Sequence, residues 1–401
     1  MAKILYCGDC AIQTGFGRVA ENVLKALATE HEVVALAVNY WGDPHDLPYR
    51  LYPAQNGGSD PFGTHRIKEV ISQEKPDVVF VINDIWVANR LWEAAKPLKD
   101  ELGFKWYVYF PVDSYGFFPE VFLPAQEWDG MGTYTKFGQE EVVKAGCDLP
   151  CDVIPHGIDP DNFFKLDKVE SRSTFDLAPE DFIVFNGNRN QPRKRIDLTI
   201  KGFLKFAKDK PDAKLWLHMG RKDQGWDIVS LFRRVAKELD IDPKDRLVLT
   251  ANEFDVTKCL PMKQLNVAYN CADVGVNTCL GEGWGLVNFE QAATGVAQIV
   301  PDHTSLKEIF SSIPRIPIES WEVDRNYGLD RGQPSPEGLA SILDHYYNNR
   351  EDLNKVADWC HNMTQNEVYS WDVIGKAFLQ VINRTLAAPV KLPPKRKIKE
   401  A

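Results

Sequence analysis

The stretch Ile4 to Val38, ILYCGDCAIQTGFGRVAENVLKALATEHEVVALAV, decides the fold. It opens on a short apolar run, Ile4–Cys7, crosses a glycine-containing segment, and continues as RVAENVLKALAT before closing on Val33–Val38. In the middle segment Val19, Val23, Leu24 and Leu27 recur at helical spacing. The flanking runs suit strands buried on both faces of a parallel sheet. Strand, glycine loop, helix, strand is a βαβ opening. Val78–Ile82 and Trp106–Tyr109 repeat the strand signal, and a further short strand at Val153–Pro155 ends in the turn-like PHGIDPDNF.

A charged, irregular stretch follows from Lys165 to Asp181, KLDKVESRSTFDLAPED, and reads as an interdomain linker. The alternation then restarts. Strand runs at Phe182–Phe185, Leu215–Met219, Leu247–Thr250, Val274–Asn277 and Ala297–Val300 are separated by helices beginning at Asp197, Asp227, Met262 and Gly285. Helical patterns dominate afterwards, over Glu337–Asn348, Asp352–Asn362 and Trp371–Leu386. No short-period repeat occurs, which excludes solenoids and propellers. The expected fold is α/β, with two Rossmann-like domains facing a central cleft: 1–165, then 166–370, then a helix over 371–388 that packs back on the first domain. A length of 401 residues agrees with two cores rather than one.

The composition is that of an ordinary globular protein, 44% apolar and 26% charged, with a net charge of −10. That balance argues against a dedicated nucleic-acid binder. No apolar run approaches the roughly 20 residues of a membrane span, and MAKILYCGDCA reads as a first strand rather than a signal peptide. A cytoplasmic location is the default expectation. Eight cysteines do not make a disulfide framework, and Cys7-x-x-Cys10 lacks the second pair that a metal site needs. The segment from Pro389 to Ala401 carries Lys391, Lys395, Arg396, Lys397 and Lys399 beside three prolines. It reads as a disordered tail, or as a weak electrostatic contact with an anionic membrane face.

Residues Glu282 to Glu290, EGWGLVNFE, carry the chemistry. A strand feeding a helix through glycines aims backbone N–H groups into the crevice at the strand's carboxyl end. A diphosphate there would meet the N–H groups of Gly285, Leu286 and Val287. Glu282 precedes the helix and Glu290 lies more than one turn inside it, so one carboxylate falls where a sugar could sit and the other where a ribose could present its hydroxyls. The alternative is that both are surface charges, but Leu286, Val287, Phe289, Ala292 and Ala293 make this helix largely buried, and a buried Glu needs a partner. A second segment, NGNRNQPRKRID (Asn186–Asp197), also joins a strand to a helix and holds Arg189, Arg193, Lys194 and Arg195. It is either a basic surface loop or a diphosphate clamp.

The E-x7-E run, followed by QAATGVAQIV, resembles the donor-site signature of the retaining glycosyltransferases of family 4, which have the two-Rossmann GT-B fold and generally work without a metal. Thr278, EGWGL, FEQAA and Gly295 match that pattern in order, while Ala297 stands where the family often has proline. The resemblance implies that Glu282 contacts the transferred sugar and Glu290 the ribose. It also implies that Arg189 and Lys194 match the family's GR-x4-K, although Asn188 and Arg195 replace its flanking glycines. TGFGRVAENVL is similar to the family's N-terminal glycine loop, which assigns donor contacts to Gly15 and Gly17. FPVDSYG (Phe110–Gly116) places Asp113 and Tyr115 where many members have a histidine; Asp113 is a hydrogen-bond partner, a base or a structural cap. His156 matches another family loop and is equally a hinge residue or a substrate contact. Asp84, after VVFVI, lies at a strand end and could face the acceptor.

The function so implied is a hexosyltransferase that needs no cofactor beyond its nucleotide-diphosphate sugar, UDP- or GDP-linked. Its acceptor is a glycan or a lipid-linked hydroxyl, as in polysaccharide biosynthesis. Catalysis would come from leaving-group stabilisation and from closure of the domains against water. Two alternatives use the same scaffold: a nucleotide-sugar epimerase and a non-catalytic sugar-nucleotide-binding protein.

Overall fold

The computed structural model describes residues 1–55, 59–253 and 260–389. The basic segment beyond Pro389 lies outside the described residues. The chain divides into two compact units. The first comprises Met1–Pro111, Gly116–His156 and the chain from Trp371 onward; the second comprises Val112–Tyr115 and Gly157–Ser370.

The first unit begins with β1 (Lys3–Asp9), α1 (Gly15–Leu27) and β2 (Glu32–Val38), the expected βαβ opening. It continues through β3 (Arg50–Pro53), α2 (Ile67–Glu74), β4 (Val78–Ile82), α3 (Ile85–Leu102) and β5 (Lys105–Phe110), then β6 (Gly130–Thr133), α4 (Lys136–Lys144) and β7 (Cys151–Val153). Among the described residues these strands form one sheet in the order β3-β2-β1-β4-β5-β6-β7, and every neighbouring pair is parallel. Both faces are covered, so β4 and β5 are buried along their whole length. That explains their unbroken apolar runs.

The second unit starts with α5 (Lys168–Ser173), β8 (Phe182–Asn186), α6 (Ile196–Ala207), β9 (Ala213–Lys222) and α7 (Ile228–Glu238). Next come β10 (Leu247–Glu253), α8 (Met262–Asn270), β11 (Val274–Val276), α9 (Leu286–Ala293), β12 (Ala297–Ile299) and α10 (Thr304–Ile309). An antiparallel hairpin, β13 (Ile318–Val323) and β14 (Asp330–Pro334), precedes α11 (Pro336–Asn348) and α12 (Arg350–Thr364). The main sheet is parallel, in the order β10-β9-β8-β11-β12. Its core is built on Phe182, Val184, Ile200, Leu215, Leu217 and Ile299. The last helix, α13 (Trp371–Ala387), belongs to the first unit and packs against α1. Its Phe378 ring meets Tyr109 at 4.9 Å and Phe80 at 5.9 Å.

Two details depart from the sequence reading. The division falls after His156 rather than at residue 165. The stretch expected to be a linker is instead part of the second unit, because its groups find partners there. Arg172, buried on α5, donates to the carbonyl of Cys271 at 3.0 Å and to Asp273 at 2.7 Å. The backbone N–H of Leu166 donates to Asn270 at 2.8 Å, and that of Phe164, just before the stretch, to Asn266 at 3.1 Å.

Candidate functional site

In both sheets the strand order reverses direction at one point. Ligands of open α/β sheets bind outside the carboxyl ends of the strands there. In the second unit that point lies between β8 and β11, and the two segments singled out from sequence are the loops that leave these strands. Hydrogen bonds stitch the loops together. Thr278 Oγ1 donates to the Arg195 carbonyl at 2.9 Å and sits 2.6 Å from Thr199 Oγ1, and Leu280 N donates to the Arg193 carbonyl at 2.8 Å.

Glu282 is buried at this junction. Its carboxylate is ion-paired with Lys194, and the Arg193 guanidinium lies 3.6 Å away. Asn277 Nδ2 donates to it at 3.4 Å. Burial pushes the Glu282 carboxyl up, but Lys194 and Arg193 outweigh burial and hold it below the usual carboxylate range. It is an ionised acceptor ready for hydroxyl donors. Gly285 follows at φ +87°, a left-handed conformation that costs a glycine little, and it opens α9 directly. The first turn of that helix presents the N–H groups of Leu286 and Val287, as any helix N-terminus does. Glu290 is buried one turn further on, and Tyr269 Oη donates to it at 3.2 Å.

The cations are distributed differently from the sequence pattern. Lys194 meets Glu282, but Arg189 forms a two-pronged bond to Asp223, at 2.7 and 3.1 Å. Arg193 is the arginine that joins the carboxylates, since it also donates to the Gly281 carbonyl and stands 3.3 Å from Asp113. Arg195 has a left-handed backbone (φ +47°), its guanidinium tied to Asp197 at 3.0 Å and to Gln333 at 2.7 Å.

Asp113 and Tyr115 group with this site, because the segment Val112–Tyr115 belongs to the second unit. Arg331 Nη1 on β14 donates to both the carbonyl and the carboxylate of Asp113, at 2.9 and 3.0 Å. Burial raises the Asp113 carboxyl, and Arg193, Arg331 and the Ser114 hydroxyl together hold it below the usual range. Its carboxylate is shared by the two arginines and the Ser114 hydroxyl, which makes it a hydrogen-bond and ion-pair partner in this site. Tyr115 pairs with Asp330 through two backbone bonds of 3.3 and 3.0 Å. Its hydroxyl oxygen accepts the N–H of Thr304 at 3.0 Å.

The remaining candidates lie in the first unit. Its sheet reverses between β1 and β4. Gly15 and Gly17, read from sequence as a glycine loop, lie in the first turn of α1, and Asp84 lies between β4 and α3. Thr14 caps α1 by accepting the Gly17 N–H at 3.0 Å, and its hydroxyl binds the buried Asp9. Asp84 stands at the start of α3. His156 is buried with its ring centroid 4.1 Å from that of Tyr134, and burial pushes it down to about 3, so it is neutral. Cys7 and Cys10 are buried thiols rather than a bridge. Among the described residues no three His, Cys, Asp or Glu side chains group as a metal-binding set, and no helix is long and apolar enough to cross a membrane.

Arg331 beside Asp113, and Thr304 and its neighbour His303 beside Glu282, carry no sequence signature of their own. The one available signal was positional. His303 and Thr304 follow β12, another strand of the same sheet.

No family model matches the chain, and no curated protein matches it. Solved structures do. Sucrose-phosphate synthase from Thermosynechococcus elongatus superposes with a TM-score of 0.75 at 15% identity, covering 96% of this chain and 100% of that one. The Anabaena protein HepE in complex with UDP and glucose gives 0.71 at 14% identity, over 96% and 100% of the two chains. A glycosyltransferase from Rickettsia africae gives 0.71 at 14%, over 96% and 99%. At these identities the likeness is one of fold: two Rossmann-like domains, the GT-B class expected from the sequence.

Proposed function

We propose that this protein is a retaining glycosyltransferase that moves a hexose from a nucleotide-diphosphate sugar to an acceptor hydroxyl. One observation carries the reading. At the switch point of the second sheet, a buried ionised Glu282 stands beside Lys194 and Arg193, one turn from the left-handed Gly285 that opens α9. An acceptor-only carboxylate suits sugar hydroxyls, and cations beside a helix N-terminus suit a diphosphate. The fold neighbours support the class, since HepE is solved with UDP and with UDP-glucose.

In this reading Lys194 and the neighbouring arginines neutralise the negative charge that grows on the diphosphate as the glycosidic bond breaks. A protein cation in that role makes a metal unnecessary. Glu290 binds the ribose hydroxyls. Asp113 keeps Arg193 in place and takes no proton; the leaving diphosphate accepts it from the attacking hydroxyl on the same face. Gly15, Gly17 and Asp84, at the switch point of the first sheet, are assigned to the glycine loop and to the acceptor.

Calorimetric titration with UDP- and GDP-sugars tests this directly. Binding is expected for one of the two nucleotides. It should weaken at least tenfold in Lys194→Ala and further when Arg189 or Arg193 is also replaced. Undiminished affinity in the variant lacking Arg189, Arg193 and Lys194 would remove the diphosphate assignment. Donor turnover that yields an epimerised sugar nucleotide without acceptor would replace transfer by isomerisation.

A further inference from the structure

Thr304 has an unusual backbone. Its φ is +49°, in the left-handed region that L-residues and above all β-branched ones avoid. It is buried at the start of α10, where a glycine would adopt the same conformation without strain. Strained residues of this kind persist only where surrounding contacts over-determine them, and they cluster at functional sites.

The contacts show what the side chain does. Thr304 Oγ1 accepts the backbone N–H of Glu282 at 3.2 Å. The next residue, Ser305, donates its hydroxyl to the Glu282 carbonyl at 2.6 Å. Successive side chains thus bind both polar groups of the Glu282 peptide. The hydroxyl proton of Thr304 has a defined partner as well. His303 Nε2 lies 3.1 Å from the Cys279 carbonyl, which can only accept, so the ring proton sits on Nε2. Nδ1 is then an acceptor, 3.1 Å from Thr304 Oγ1, and takes that hydroxyl's proton. Meanwhile the N–H of Thr304 itself is donated to Tyr115 Oη. A glycine at 304 would relieve the strain but leave two buried groups, the N–H of Glu282 and Nδ1 of His303, without this partner.

We propose that Thr304 is a positioning residue: its hydroxyl, held in a left-handed backbone, fixes the loop of Glu282 relative to Tyr115 and so sets the carboxylate against the donor sugar. The proposal rests on the glycosyltransferase reading. It concerns the sugar end of the donor, because the peptide that Thr304 holds is that of Glu282.

The experiment compares Thr304→Ser, Thr304→Val and Thr304→Gly for UDP or GDP affinity, for kcat with the nucleotide sugar that the wild type turns over, and for melting temperature. Ser should stay within about threefold of wild type in kcat. Val and Gly should each lose about tenfold or more, the scale on which misplacing a reacting group is felt, with nucleotide affinity unchanged. A merely structural role predicts the reverse, a lower melting temperature with normal kcat in the folded fraction. Normal kcat in Val and Gly overturns the proposal while leaving the functional reading intact. A wild type that neither binds nor turns over any nucleotide sugar overturns both. Should Gly not fold, the contrast between wild type and Val decides alone, since threonine and valine are both β-branched and differ chiefly in the hydroxyl.

Discussion

Arg193 stands between two carboxylates, 3.3 Å from Asp113 and 3.6 Å from Glu282, while Arg331 grips Asp113 from the other side. Removing one charge from such a chain leaves its neighbour poorly compensated, and the damage exceeds the worth of the lost bond. Asp113→Asn keeps the shape and loses the charge. It should lower stability by about 1–2 kcal/mol at neutral pH, read from urea denaturation. The pH dependence follows from the sign of the shift. The folded Asp113 value lies below the unfolded one, about 3.9. Its contribution is therefore complete above that value and is lost as pH falls through the depressed folded value. The gap between wild type and variant should close in acid. A gap that stays constant down to full protonation would mean that the ion pairs contribute nothing.

The loop at the end of β11 approaches the Val112–Tyr115 segment more closely than a side chain permits. A Cβ on Gly281 would stand 1.8 Å from the Asp113 carbonyl oxygen, a backbone atom that cannot turn aside. Gly281→Ala should therefore displace Asp113 and with it the Arg331 bond. A stability loss of about 1–3 kcal/mol is expected, the usual cost of overpacking. Wild-type stability in that variant would show that the segment is free to retreat. This element level also marks how far the sequence could be read. The parallel sheets were legible because strands buried on both faces need unbroken apolar runs, as in Val78–Ile82 and Phe182–Phe185. Glu282 and Lys194 were legible because they flank glycine-opened strand-to-helix loops. Arg193 was not chosen over Arg189, because a short 3-10 turn at Pro192–Lys194 sets which arginine reaches the carboxylates, and spacing along the chain does not encode it. Arg331 reaches Asp113 from a hairpin 218 residues away in sequence. Thr304 was invisible because threonine seldom adopts a left-handed backbone.

Across the whole molecule, three histidines kept neutral by their surroundings set a common response to acid. Burial pushes His156 down to about 3, and His218 and His303 down to about 4. The unfolded chain binds a proton at each near pH 6.5, so folding keeps these rings neutral against the solvent's demand. With the folded values depressed, their contribution is complete above pH 6.5 and erodes below it, at about 1.4 kcal/mol per pH unit for each ring. The rings are unequally shared. His156 lies in the first unit, and His218 and His303 in the second. Between pH 6 and 5 the second unit should lose about twice as much protection free energy as the first, roughly 3 against 1.4 kcal/mol. Hydrogen exchange resolved by segment and corrected for the intrinsic rate measures both slopes at once. In the second unit the slope should slacken below pH 4, where its rings protonate in the folded state, while the first continues to about pH 3. Equal slopes in the two units would mean that His218 or His303 takes its proton without unfolding. For His303 that proton would go to Nδ1, and the Thr304 hydroxyl proton would have to turn to another acceptor while its oxygen still receives the Glu282 N–H.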